Sequence, residues 1–275
     1  MNLVKLVCKS IDKFTNNFVH IKDGDFYVVS FFHDDKELLL NNKDITKIIS
    51  INCPNLVLLD LSKNNIRKIE GIDQLINLKR LNLHHNSISK IENIHDISEI
   101  NIAYNLIDTM ENIPKVENLC LSHNKIASIN NTNNSIKALD LSYNSISKIE
   151  NIPKKIIYLD LCNNKINKIE NLYELESLTK VFLGNNAIET FDYDSINSHY
   201  IEIVDLRFNK ITDIGDFTKF DDKFYWDKEH KIPIVRGSSE RYFIKVYLYG
   251  NKIEKDIKKY SKVKFFLNDD QGYLE

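Results

Sequence analysis

The sequence predicts an α/β solenoid: about ten short coils stacked over roughly residues 35 to 257, with a cap at each end. Three observations predict it. One frame, L-x-x-L-x-L-x-x-N-x-I-x-x-I, recurs along the chain, as in "ALDLSYNSISKIENI" (138–152) and "YLDLCNNKINKIENL" (158–172). Its Asn returns at positions 64, 86, 105, 124, 144, 164, 186 and 209, in steps of 19 to 23 residues, the period of a repeat architecture. A hydrophobic content of 43% can fill a sizeable core, and seven Gly and four Pro leave no long flexible linker.

Each fixed letter has a physical role. Leu159 and Leu161 alternate with Asp160, the two-residue period of a strand with one buried face. Ile166 and Ile169 then point back into the same interior, as Ile146 and Ile149 do after Leu139 and Leu141. The Asn stands where the chain leaves the strand and bends. Backbone groups there lose both water and ladder partners, and a side chain with a carbonyl and an amide can satisfy acceptor and donor together. One coil cannot bury its aliphatic face alone, but a stack can. A degenerate first copy, "LLLNNKDITKI" (38–48), carries Lys43 in place of the Asn. A last copy, "VYLYGNKI" (246–253), brings Asn251 after a step of 42 residues.

The steps of 22 or 23 residues exceed the shorter ones by about a triplet, the length of one 3₁₀ turn. This predicts helical turns on the returning side near coils 2, 3 and 8, with thinner extended segments between. Residues 1–34, with "FYVVSFF" (26–32), predict an N-terminal cap containing a strand and a helix. The segment from 253 reads as a short helix closing the other end, followed by a tail, so that 258–275 form the C-terminal cap.

The frame resembles that of leucine-rich repeat proteins. The copy "IEGIDQLINLKRLNLHHNSISKIENI" (69–94) is similar to the class named for the protein phosphatase 1 regulatory subunit, which also includes bacterial internalins. The 19- and 20-residue copies look like the arcs of bacterial leucine-rich effectors. The resemblance implies a right-handed horseshoe with a parallel β-sheet on its concave side. It also implies a non-enzymatic protein–protein interaction module that binds its partner there. The regulatory subunit of a serine/threonine phosphatase, or the substrate-recognition part of a ubiquitin ligase complex, are the alternatives it brings. Neither end matches the cysteine-rich caps of secreted members.

Composition narrows the function further. A formal net charge of −2 and a pI near 6.5 carry no nucleic-acid or acidic-membrane footprint. Lys5 and Lys9 interrupt the apolar N-terminus, so it does not read as a secretory signal. No window approaches the roughly 18 apolar residues of a membrane helix. Cys8, Cys53, Cys120 and Cys162 form no clustered framework. The expected protein is cytoplasmic or nuclear, monomeric on its own, and free of cofactors.

Phosphate-binding, nucleophile-elbow and metalloprotease motifs are absent. Cys120 has His123 three residues on, but past the strand end. His84, His85 and His123 lie near one edge without a fourth zinc ligand, and His84 and His85 are expected to point in opposite directions.

The variable positions point to binding. Residues four and two before each Asn face outward, and large side chains gather late in the chain: Phe182, Arg207, Phe208, Tyr247 and Tyr249. Tyr104, Tyr143 and Tyr158 flank the middle strands. Aromatics and Arg on a rigid sheet have the composition of binding hot spots, although Tyr is also a good strand former whose ring can simply cover a neighbour. Asp140, Asp160 and Asp205 would favour a partner with basic residues. The insertion 215–242 contains Trp226 among other aromatics and reads equally as a projecting loop or an eroded coil.

Overall fold

The computed structural model describes residues 16–31, 35–192, 195–196, 200–215, 244–253 and 263–266. The chain divides into two compact units, residues 1–140 and 141–275. Each is a run of parallel-sheet β-solenoid, and the chain as a whole makes about eight turns with little helix.

In the first unit, strands β1 (Asn16–Lys22) and β2 (Asp25–Phe31) form an antiparallel hairpin, and β4 (Lys47–Asn52) joins β1 antiparallel on its other side. The coil strands are β3 (Glu37–Leu39), β5 (Leu58–Asp60), β6 (Arg80–Asn82), β7 (Glu99–Asn101), β8 (Asn118–Cys120) and β9 (Ala138–Asp140). They pair parallel in strict register, so that Asp60, Asn82, Asn101, Cys120 and Asp140 form one row.

The second unit has β10 (Tyr158–Asp160), β11 (Lys180–Phe182), β12 (Thr190–Phe191), β13 (Ile203–Asp205), β14 (Asp213–Ile214), β15 (Ile244–Tyr247) and β16 (Val263–Phe266). Its main ladder runs β10-β11-β13-β15-β16, while β12 and β14 pair on the returning side. The helix predicted after residue 253 is not what residues 263–266 form: they make a strand parallel to β15. Residues 254–262 and 267–275 lie outside the described part.

The repeat letters fill the interior as their period requires. Leu139 in the first unit, and Leu141, Ile146, Ile149, Leu159, Leu161 and Ile166 in the second, are fully buried, and Ile169 nearly so. Each such side chain contributes about 1.5–3 kcal/mol by leaving water.

The predicted triplet difference is visible on the returning side as one extra turn. After Asn64 two successive turns form, with Leu75 N–H donating to Ile72 C=O and Leu78 N–H to Leu75 C=O; Leu175 and Leu178 repeat this after Asn164. Short copies have single turns, such as Ile156 N–H to Pro153 C=O. The step after Asn86 is itself short, so the helical turn predicted for coil 3 has no triplet to form from. No α-helix occurs among the described residues.

The recurrent Asn is a cross-coil bridge. Asn164 Oδ1 accepts from the Ile146 N–H of the preceding coil at 2.9 Å, and its Nδ2 donates to Leu141 C=O there and to Leu161 and Cys162 C=O of its own coil. Asn86, Asn105, Asn124, Asn186, Asn209 and Asn251 repeat the bond to the coil before. Asn64 does the same for the first copy, accepting from the Lys43 and Ile45 N–H groups. The ladder Asn therefore serves the coil that precedes it, which is why the first copy tolerates Lys43.

Two corners of each coil need left-handed backbone. One is the residue before the ladder Asn: Lys63, His85, Tyr104, His123, Tyr143, Asn163, Asn185, Phe208 and Gly250 all have positive φ. The other falls seven residues after it, at Gly71, Asn93, Asn112, Asn131, Asn151 and Asn171. Asn tolerates this region better than most residues, which accounts for the recurring "EN" in the sequence.

Candidate functional site

Most of the outward residues singled out from the sequence converge in the second unit. Register places Asp160, Phe182, Asp205 and Tyr247 side by side on four neighbouring strands. They alternate with the buried Leu159, Val181, Val204 and Val246, so their side chains share the opposite, outer face of the sheet.

Asp205 and Arg207 organise the centre. Arg207 Nε donates to Asp205 Oδ1 at 2.9 Å and Nη2 to Oδ2 at 2.8 Å, a bidentate fork that fixes the guanidinium plane. Oδ1 also accepts from the Arg207 N–H. Asp205 is only 2% exposed. It therefore offers no carboxylate to a basic partner, contrary to the expectation from sequence; its effect is to position Arg207, whose guanidinium lies 5.9 Å from the Tyr247 ring centroid. Burial, the largest influence, holds the Tyr247 phenol above its ordinary range.

The aromatics brace one another. Tyr158 and Phe182 have ring centroids 5.2 Å apart, and Phe208 meets Tyr249 edge-on at the same distance. Phe208 remains 48% exposed. Its ring lies where a Cβ on Gly250 would fall, 2.5 Å from Cδ1, and Gly250 has φ +78°. Glycine is thus needed there twice, for its backbone and for its missing side chain.

Asp160 is half-buried, with Oδ1 accepting from the Cys162 N–H and Oδ2 3.5 Å from the Tyr158 hydroxyl. Asp60, Asn82 and Asn101 likewise accept from the N–H two residues on. This local bond gives the repeated Asp or Asn a structural role that explains its frequency between two leucines.

Tyr143 is half exposed and stands at a left-handed corner of the second unit. Tyr104 and Asp140 belong to the first unit. Trp226 and the insertion from 216 to 242 lie outside the described residues.

The first unit shows an arrangement that sequence reasoning missed. His85, Tyr104 and His123 stack face to face, with ring centroids 4.0 and 3.9 Å apart. They occupy the left-handed corner in successive coils, and the signal was their shared place directly before the ladder Asn. The same corner corrects the expectation for His84 and His85. Because His85 has φ +54°, the two rings meet, with their Nδ1 atoms 2.7 Å apart, instead of pointing away from one another. Burial first, then the neighbouring His85, holds the His84 pKa below its ordinary value.

Among the described residues no group of three His, Cys, Asp or Glu side chains could hold a metal ion. The thiols are poorly suited to nucleophilic chemistry, which uses the thiolate. Burial, reinforced by Asp140, pushes Cys120 up to about 11. Burial together with Asp160 and Asp205 pushes Cys162 up as well.

Models of the leucine-rich repeat match residues 77–99, 132–148 and 197–215. Among solved structures, the chain is similar to the leucine-rich repeat domain of APL1B, at 15% identity over 88% of this chain and 91% of that one, with a TM-score of 0.61. It is also similar to a chain of the LRIM1/APL1C complex, at 17% identity over 81% and 49%, with a TM-score of 0.57. A leucine-rich repeat protein of Leptospira interrogans aligns at 26% identity over 58% of this chain and 45% of that one, with a TM-score of 0.50. The chain thus spans less than half the length of the last two. No curated protein sequence matches it. The chain carries leucine-rich repeats, in a fold whose members are typically non-enzymatic protein–protein interaction modules.

Proposed function

We propose that this protein is a non-enzymatic binding module that holds a partner protein on the outer strand face of its second unit, the face expected to be concave. The observation that carries this reading is the braced row of Phe182, Arg207, Phe208, Tyr247 and Tyr249. These are hot-spot residue types held in place by one another and by Asp205, so little side-chain freedom is lost on binding. A chain similar in fold is found in the LRIM1/APL1C complex. The raised Cys120 and Cys162 thiols agree with a role outside catalysis, and the free cysteines among the described residues suit an intracellular compartment. A phosphatase-regulatory or ligase-recognition role draws support from the repeat resemblance alone.

The test is capture of partners by the whole protein from cells that make it, followed by affinity measurements with Tyr247→Ala/Tyr249→Ala. Binding should weaken by at least about 2 kcal/mol. Asn82→Asp and Asn101→Asp, which keep the acceptors for His84 and Ala103 N–H, should bind normally. Unchanged affinity for the Tyr pair with loss in the Asn variants would overturn the reading.

A further inference from the structure

The charge on this face is the reverse of what its aspartates suggest. Lys180 and Lys245 stand in one row with Tyr158 and Ile203, two residues before Phe182 and Tyr247 and therefore on the same outer face. Lys165, Lys210 and Lys252 each follow a ladder Asn directly and are exposed. They line the rim beyond the left-handed corner that Phe208 occupies. Among the described residues none of these five ammonium groups pairs with a carboxylate; the ion pairs present there involve Lys22, Lys47, Arg80, Lys115, Lys137 and Arg207.

On the other side of the balance stand Asp160, Glu202 directly before β13, and Asp205, which Arg207 already neutralises. Among the described residues the face thus carries six cationic side chains against three acidic ones, although the whole chain has a formal charge of −2. The surplus is local. Neighbouring parallel strands lie about 4.8 Å apart, so Lys245, on the same strand as Tyr247, stands within roughly one Debye length of the aromatic centre at physiological salt. Lys165, in the coil three strands away, extends the cationic edge further out.

We propose, building on the reading of this face as a protein-binding surface, that its partner is an acidic protein segment. Carboxylates of the segment lie against the two lysine rows. An apolar or aromatic side chain of the segment seats on Phe208 and Tyr249, where the ring is open to solvent. Uncompensated charge of one sign around an apolar centre attracts a partner of opposite sign and fixes its register. Nucleic acid, which would also meet lysines and rings, fits less well. Asp160 stands in the aromatic row itself, and the one arginine on the face is already held by a carboxylate.

The experiment uses the whole protein and three labelled probes followed by fluorescence anisotropy. They are a short peptide of Glu and Asp around one Phe, the same peptide with every acid replaced by Lys, and oligothymidylate. The acidic peptide should bind saturably, and more weakly as salt rises from about 0.05 to 0.3 M. Lys165→Glu/Lys210→Glu/Lys252→Glu should weaken it at least about tenfold, and the milder Lys→Gln triple should weaken it in the same direction. Lys90→Glu/Lys148→Glu/Lys168→Glu, on the returning side, should leave it unchanged.

Four results would each overturn the proposal. These are no saturable binding of the acidic peptide, equal or tighter binding of the lysine peptide or the oligonucleotide, an unaffected rim triple, or equal loss in the returning-side triple. Partner capture that depends on Tyr247 and Tyr249 would survive any of these results, so the acidic partner can fail while the binding face stands.

Discussion

Arg207 and Asp205 face each other across two hydrogen bonds of 2.9 and 2.8 Å, with the carboxylate 2% exposed and the guanidinium side chain 32% exposed. Removing the buried partner leaves a cation that can turn toward water, so the loss should be smaller than for a fully buried pair. Asp205→Ala is expected to cost about 1–3 kcal/mol in denaturant unfolding. A double-mutant cycle with Arg207→Met should show a coupling of at least about 1 kcal/mol. Additive effects would mean that the fork is decorative.

Asn164→Ala leaves the Ile146 N–H without its acceptor and takes one donor each from the Leu141, Leu161 and Cys162 carbonyls, which keep Asn144, Asn186 and the Tyr143 N–H. A loss of roughly 1–3 kcal/mol is expected. Lys43→Ala, at the equivalent place in the first copy, changes an exposed side chain and should be silent. Equal effects in thermal or urea unfolding would contradict the rule that each ladder Asn serves the coil before it.

At Gly71, φ is +72° and a Cβ would lie 2.8 Å from the Ile49 carbonyl oxygen. Gly71→Ala should therefore cost about 1–3 kcal/mol from backbone strain, with the added contact acting in the same direction. Gly24, also at positive φ but with open space around it, isolates the backbone contribution. Gly24→Ala should cost less, and the difference in melting temperature measures the clash.

The histidine edge of the first unit gives a pH prediction. His84 and His123 are both held below 6.5, burial being the largest cause in each. Their protons bind less tightly in the folded than in the unfolded chain. The stability tied to their neutral forms is complete above about pH 6.5 and is lost as the pH falls through that value toward the folded pKa. Unfolding followed from pH 7.5 to about 5.5 should show declining stability, and His84→Gln/His123→Gln should flatten the decline. An identical slope in the variant would assign the acid sensitivity elsewhere.

The coil interior was legible because its cause is periodic: Leu159, Leu161, Ile166 and Ile169 repeat at spacings that only a stacked coil explains. The ladder Asn was legible for the same reason, but not its direction, since one letter cannot show whether it serves its own coil or the last. Phe182, Arg207 and Tyr247 were placed together by register alone. The fork between Asp205 and Arg207 was hidden because an i, i+2 pair on a strand reads equally as two independent surface charges. The His85–Tyr104–His123 stack was hidden because left-handed φ is a property of the corner, not of the residues that occupy it. The strand at residues 263–266, where the sequence was read as a short helix and then a tail, was hidden because "VKFF" adds to an open parallel edge, a tertiary partner that local propensity does not register.

The central claim, that the outer strand face of the second unit binds a protein, is tested most directly by site-specific photo-cross-linking. p-Benzoylphenylalanine replaces Phe208, which is 48% exposed at the left-handed corner, or Ile76, which is 71% exposed on a returning turn. The account predicts that irradiation in cells that make the protein links one partner at position 208. That adduct should be lost on adding Tyr247→Ala/Tyr249→Ala, and position 76 should give none. A partner captured at position 76 and not at 208 would contradict it.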